Sequence, residues 1–379
     1  MKFKFYLSPL FILLLFVNGL NSQTVSTLIP GPSTFDDCLT MGPDGNIYAS
    51  RYSGTVVTKI TPQGTATIFA SGFNSPNGTA FGPDGYLYVP SAVGNRIDKV
   101  SPGGVVSNVV PNMPSASAIL FRPDGKMIVA CYSPTAINLV EPNGSYSPLY
   151  TGNGLNGPIG LRYTSTGKLI IGNFNDGKIF SVDTATGIFT LIADLPGSLG
   201  FLEIVNDVIY STGFDVHKIF RTTLSGDTMT VAGTGAAGQI NGPALSSTFN
   251  RPNGIVKSIT GDTLYISDYN TRSLRVLTGV TLGIINVNSI EPENFSLSQN
   301  YPNPFNPVTN IEFDVPKSSI VKLSVYDVQG KLIETIVNSE LSAGTYKADW
   351  NASNFSSGVY FYKLESDGFI QTKRMILVK

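Results

Sequence analysis

The 379-residue sequence predicts an all-β chain, a six-bladed β-propeller followed by a small Ig-like β-sandwich. Three observations carry that expectation. With 42% hydrophobic and 13% charged residues, 39 Gly and 24 Pro, the composition suits short strands broken by turns and is a poor one for disorder. Apolar residues recur at a period near 40 over most of the chain, the mark of a repeat architecture. After Asn286 that period ends, and alternating runs of about ten residues replace it.

The repeat is measured by the apolar residue that follows each turn. Ile47, Leu87, Met127, Leu169, Ile209 and Leu264 stand 40, 40, 42, 40 and 55 residues apart. Thirteen residues beyond each comes Ile60, Val100, Val140, Val182, Thr222 and Leu277. Each unit holds four short segments, as GTAFG, YLYVPSA, RIDKVSP and VVSNVVP do in the second, and four strands at this period make a propeller blade. The recurring Pro-Asp-Gly joins the first strand of a unit to the next, with Pro setting φ and Gly accepting φ > 0. Asp44, Asp84 and Asp124 are therefore read as turn residues, not as a catalytic set.

The sixth unit lacks a good fourth strand, whereas TVSTLIPG (24–31) matches the fourth strand of unit one, TATIFASG. The N-terminal segment is thus expected to complete blade six and hide its edge. Before it, MKFKFYLSPLFILLLFVNGLNS has a basic start, an apolar core too short to span a bilayer stably, and small residues ahead of Gln23, which reads as a signal peptide over 1–22. Its removal leaves no transmembrane segment. A net charge of −1 without a basic run argues against nucleic acid as a partner. The two cysteines, Cys38 and Cys131, fall at different strand positions two blades apart and are not expected to pair.

The expected boundaries are a propeller over 23–285, a linker over 286–294 and a sandwich over 295–379. The segments SPNGTAFGPDGYLYV and 232–277 of the propeller resemble the NHL and SMP-30/gluconolactonase group, over roughly residues 24 to 285. That resemblance implies the fold, and ligands at the face where the inner strands begin. In the sandwich, QNYPNPFNP (299–307), VYDVQGK (325–331), SSGVYFYKL (356–364) and the closing TKRMILVK resemble the type A sorting domain of type IX secretion systems. The resemblance implies the type IX machinery as partner, with Lys373, Arg374 and Lys379 among the residues it reads. It also implies a destination outside the cell or on the outer-membrane surface.

Aligning the blades places Asp37, Asn77, Ser117, Ile159, Leu199 and Asn253 in one slot at the start of each inner strand. Ring closure makes blades six, one and two neighbours, so Asn253, Asp37 and Asn77, with Asp36 beside them, are expected to converge. A carboxylate with amide oxygens suits calcium. The plainer reading is that Asn77 and Asn253 cap the turn before the Gly of PNG. His217, the only histidine, and nearby Asp215 form a weak candidate acid–base pair. Arg51, Arg96, Asn175, Asp268 and Arg272 complete a polar rim suited to glycan or peptide recognition. The leading reading is a secreted or surface binding module for an extracellular glycan, peptide or protein. The alternative is a calcium-dependent lactonase or hydrolase of the SMP-30 kind, which the apolar slots at Ile159 and Leu199 disfavour. A structural part of a surface assembly is a third reading.

Overall fold

The computed structural model describes residues 23–280, 284–288, 291–341, 343–352 and 355–379, so the expected signal peptide lies outside the described residues. Among them, no helix is long and apolar enough to cross a membrane. Six antiparallel sheets follow one another in chain order, each starting from its inner strand. The inner strands of blades one to six begin at Leu39, Ala80, Ala116, Pro158, Leu199 and Pro252.

The two sets of apolar markers read from the sequence are cross-strand partners. Ile47 faces Ile60, Leu87 faces Val100, Met127 faces Val140, Leu169 faces Val182, Ile209 faces Thr222 and Leu264 faces Leu277. The spacing of thirteen is thus the length of the hairpin between the second and third strands. All twelve are buried, because blades pack face to face and leave only rims and outer strands to water.

The Pro-Asp-Gly segments are turns. Gly45 takes φ +77°, and the Asp44 carboxylate accepts the Asn46 N–H at 3.1 Å and the Tyr48 hydroxyl at 3.0 Å. Lys59, from the third strand, reaches the same carboxylate at 2.7 Å. Asp84 repeats the pattern with Tyr86, Tyr88 and Lys99. One side chain therefore closes the turn and ties it to the two strands that follow.

Strand Thr24–Ile29 pairs antiparallel with Ser273–Thr278, so the N-terminal segment does complete blade six. The two-residue strand Gly242–Pro243, not anticipated from the sequence, adds a fifth member outside it. Behind this closure lies Arg275, wholly buried. Its guanidinium donates to the Thr248 carbonyl (2.8 Å), the Ile240 carbonyl (3.1 Å), Asn241 Oδ1 (2.9 Å) and Asp268 Oδ2 (3.3 Å), and it lies over the Phe249 ring. It holds the long Gly-rich entry of blade six against the closing sheet. Asp268, expected on the rim, is instead fully buried as its counter-charge. Burial pushes the Asp268 carboxyl up to about 6 against the pull of that guanidinium. Cys38 and Cys131 are free and buried.

The second unit is a sandwich of two four-stranded sheets. Ile284–Asn288 pairs with Gly344–Asn351, so strand begins ahead of the expected linker at 286. The inward alternation of Val321, Leu323 and Val325 and of Tyr346, Ala348 and Trp350 is borne out: all six are buried in one core. The QNYPNPFNP segment runs beside the last strand, Phe369–Leu377. Gln299 Nε2 donates to the Arg374 carbonyl (2.8 Å), Ile376 N–H donates to Asn303 Oδ1 (2.9 Å), and Phe305 exchanges backbone bonds with Ile376 and Val378. Buried Asn300 donates to the Pro302 carbonyl and to Thr309 Oγ1, and its Oδ1 accepts from Gln299 Nε2 at 2.6 Å.

Two stability effects follow. Arg275→Ala strands a buried carboxyl and several acceptors, a change that costs roughly 3–5 kcal/mol when one partner of a buried pair is removed. The far-UV circular dichroism melt should fall by on the order of 10 °C; an unchanged melt refutes the closing role. Asn300→Ala should destabilise the sandwich by about 1–3 kcal/mol. Trp350 is the only tryptophan and is buried in that core, so its fluorescence reads this unit alone.

Candidate functional site

Each inner strand starts within three residues of its slot position and ends at its turn, so the slots lie at one mouth of the central channel. The strands approach closely there. Gly254 of blade six packs so tightly on blade one that a Cβ would collide with the Asp37 carbonyl, and Gly78 meets the Ser117 carbonyl of blade three in the same way. Hydroxyls stitch the seams: Ser117 Oγ donates to the Pro158 carbonyl, Thr212 Oγ1 to the Asn253 carbonyl and Ser267 Oγ to the Asp37 carbonyl, each at 2.6 Å.

The slot side chains do not cap turns. In blades three to six the pairing of inner and second strands shifts register at the slot, between Ala116 and Ala118, Pro158 and Gly160, Leu199 and Leu202, and Pro252 and Ile255. A bulge re-aims the side chain it carries. Asn253 accordingly reaches across the ring closure and donates its Nδ2 to Asp37 Oδ1 at 2.7 Å. The turn-capping reading of Asn253 is corrected by that bond.

Asp37, Asn77, Ser117, Ile159 and Asn253 line a cavity of about 520 Å³. Asp37, Asn77 and Asn253 are 2%, 7% and 5% exposed, yet Asp37 Oδ2, Asn77 Oδ1 and Asn253 Oδ1 find no hydrogen-bond partner within the protein. Burial, and then the charge of neighbouring Asp36, push the Asp37 carboxyl well above the usual carboxylate range, against the pull of the Asn253 amide. Asp36 turns away to Arg51, 3.3 Å distant, and burial raises it to about 6 despite that cation.

Above this floor stands an aromatic wall, of which Tyr132, Phe174, Phe214 and Tyr269 went unnoticed in the sequence. Five residues beyond each marker Ile47, Leu87, Met127, Leu169, Ile209 and Leu264 come Tyr52, Ala92, Tyr132, Phe174, Phe214 and Tyr269, and all six line the cavity. The rings of Tyr132, Phe174, Phe214 and Tyr269 meet one another in turn, with centroids 6.2, 5.4 and 5.5 Å apart. The signal was available: the same ruler, advanced by five, is aromatic in five blades of six.

Other expected site residues lie outside the cavity lining. His217 Nδ1 accepts the Arg251 N–H at 3.0 Å, while Asp215 is exposed and pairs with Arg251 at 3.6 Å, so no His–Asp dyad forms. Arg96 is held by Asp98 and the Gly72 carbonyl. Arg272 is half-buried, with its carbonyl accepting the Ser33 N–H. Leu199 is buried and is not part of the lining. Asn175 stands at the rim and accepts the Tyr132 hydroxyl at 2.6 Å. Among the described residues, no group of three or more His, Cys, Asp or Glu could hold a metal.

A family model described as a secretion system C-terminal sorting domain matches residues 299–379. No curated protein matches the chain. Among solved structures, virginiamycin B lyase of Staphylococcus aureus, in an inactive variant with quinupristin, is 19% identical at TM-score 0.50, over 66% of this chain and 82% of that one. A gluconolactonase of Xanthomonas campestris is 14% identical at TM-score 0.55, over 67% and 89%. An auxiliary nutrient binding protein of Bacteroides ovatus is 14% identical at TM-score 0.58, over 68% and 77%. The sorting domain marks the protein for the cell surface or the extracellular space. The chain is a six-bladed propeller with the fold of virginiamycin B lyase and the gluconolactonases, ending in a type IX secretion sorting domain.

Proposed function

We propose that the propeller is an extracellular binding module whose ligand, a glycan, a peptide or a segment of a protein, seats in the channel mouth. The observation that carries this reading is the pairing of an aromatic wall with a floor of unpartnered oxygens. Aromatic faces supply large contact area and stack on planar or ring-shaped groups, while buried acceptors without partners select a ligand that brings donors. Asn175 and Tyr132 add a polar edge to the rim. The sandwich serves delivery through the type IX machinery, with Lys373, Arg374 and Lys379 on or beside its last strand.

The same three oxygens favour a second reading, a calcium-dependent hydrolase of the gluconolactonase kind. Calcium takes six to eight oxygens, and Asp37, Asn77 and Asn253 would supply three of them, with one carboxylate. Bound there, the ion would polarise a carbonyl or activate water. Ile159 and Leu199 leave the other side of the ring without ligands, and His217 is engaged with Arg251 outside the cavity lining. These features favour binding over turnover.

Glycan and peptide arrays probed with the secreted protein test the first reading. Tyr52→Ala and Tyr132→Ala, at exposed rings, should each leave the melt unchanged and weaken a captured ligand about tenfold, or 1.4 kcal/mol. Blank arrays, or capture indifferent to both changes, would refute it. For the second reading, calcium at a hundred times its Kd should stabilise metal-stripped protein by about 2.7 kcal/mol, and Asp37→Asn should abolish that gain. A flat response removes the calcium reading.

A raised carboxyl favours the folded state only while protonated. Between the unfolded value near 3.8 and its own folded value, Asp37 keeps its proton in the folded chain and loses it in the unfolded one. Its penalty is therefore absent below pH about 4 and grows as pH rises through the folded value. Asp37→Asn should raise the melting temperature at pH 8 and leave it unchanged at pH 4. Equal effects at both would contradict the burial of a charge there.

A further inference from the structure

Asp37 differs from the other acidic groups of the mouth in having no cation of its own. Asp36 takes Arg51, and Asp215 takes Arg251, whose guanidinium also lies over the Phe214 ring. Among the described residues, Asp37 is in contact only with donors of the uncharged kind, the Asn253 amide and the Cys38 backbone. Its second oxygen, Asn77 Oδ1 and Asn253 Oδ1 are three acceptors without donors, on residues more than nine-tenths buried and lining one cavity. The donors whose partners are visible on this floor are already spent within the protein: Asn253 Nδ2 on Asp37 and the Ser117 hydroxyl on the Ala130 and Pro158 carbonyls.

We propose that the ligand of this mouth carries a protonated primary amine, seated on Asp37, Asn77 and Asn253 with its carbon body against the aromatic wall. This rests on the mouth being the binding site, and it names the ligand's chemistry. An ammonium group has three donors and no acceptor, which matches three free acceptors in number and kind. A neutral sugar hydroxyl both donates and accepts, and would leave Asp37 without a counter-charge. The wall discriminates further. Ring faces attract an organic cation and stack on its carbon skeleton, whereas calcium takes oxygen ligands and has no carbon body to cover. Phe174, Phe214 and Tyr269 stand in sequence around blades four to six, on the wall shared with Asn253 and its partner Asp37. Blade two, where Ala92 replaces an aromatic residue, is the low side through which the remainder of a larger ligand would leave.

The experiment is calorimetric titration of the secreted full-length protein with matched probes. Phenethylamine is compared with 2-phenylethanol, and glucosamine with N-acetylglucosamine, so that an aryl amine and an amino sugar are separated as sources of the same group. The amine of at least one pair should bind tenfold or more tightly than its neutral counterpart, and Asp37→Asn should erase the difference while melting at or above the wild-type temperature. Neutral probes that bind as well as the amines, and lose affinity in Tyr52→Ala, would overturn the amine and leave the binding module standing. Calcium binding at Asp37 with no response to amines would overturn it in favour of the metal reading. An amine preference that survives Asp37→Asn would overturn the assigned seat. No binding by any probe or array would overturn both the amine and the module.

Discussion

Six blades share their buried faces only when the last meets the first, and in this chain that meeting is made by Thr24–Ile29 on Ser273–Thr278. Without it, the third strand of blade six would present a row of unpaired backbone groups to water and to other chains. The seam is reinforced from behind by Arg275, which collects the Gly-rich entry of the blade onto one buried guanidinium. The same seam runs through the candidate site. Asn253 and Ser267, near the end of the propeller, bond to Asp37, near its beginning. The floor of the cavity therefore exists only in the closed ring, and folding and site assembly are one event.

The sequence made the architecture legible because the repeat is enforced by pairing. Residues thirteen apart, such as Leu87 and Val100, face each other across a hairpin, and burial on both sides keeps the pair apolar in five blades, with Thr222 the polar member in blade five. Turn chemistry was legible for a similar reason, since Asp44 closes its turn through bonds to residues two and four positions away. The closing strand was found because it repeats the pattern of the outer strand it replaces. Even the convergence of Asp37, Asn77 and Asn253 followed from topology once the ring was assumed to close.

What was not legible depended on direction and on partners distant in the chain. Asn253 was read as a turn cap from its neighbours in PNG, but the bulge between Pro252 and Ile255 swings it onto a residue 216 positions away. Asp268 was counted with the polar rim, but its counter-charge Arg275 lies on the next strand, facing inward. The wall of Tyr132, Phe174, Phe214 and Tyr269 was overlooked because aromatic residues in a β-rich chain are first read as core. In the sandwich, two ends of the sorting motif that look independent in sequence lie side by side. Gln299 and Asn303 bond to the strand that holds Arg374 and Ile376, so the motif is a single surface.

The slot position supplies an internal control on whether the polar floor is needed for folding. Blades four and five fill it with Ile159 and Leu199, both buried, and close as well as their neighbours. Apolar residues are therefore acceptable there, and a buried acceptor without a donor costs about 1–3 kcal/mol that such residues would avoid. Blades six, one and two nevertheless carry Asn253, Asp37 and Asn77, with three oxygens unpartnered and one carboxyl pushed well above its usual range. A fold that solves the same position by burial on one side and tolerates unsatisfied oxygens on the other is not optimising its own stability at that place. The unsatisfied side faces a cavity walled by aromatic rings, and a ligand that brings donors would relieve the cost on binding. What those oxygens cost the fold is what a donor-bearing ligand would gain in affinity by seating there.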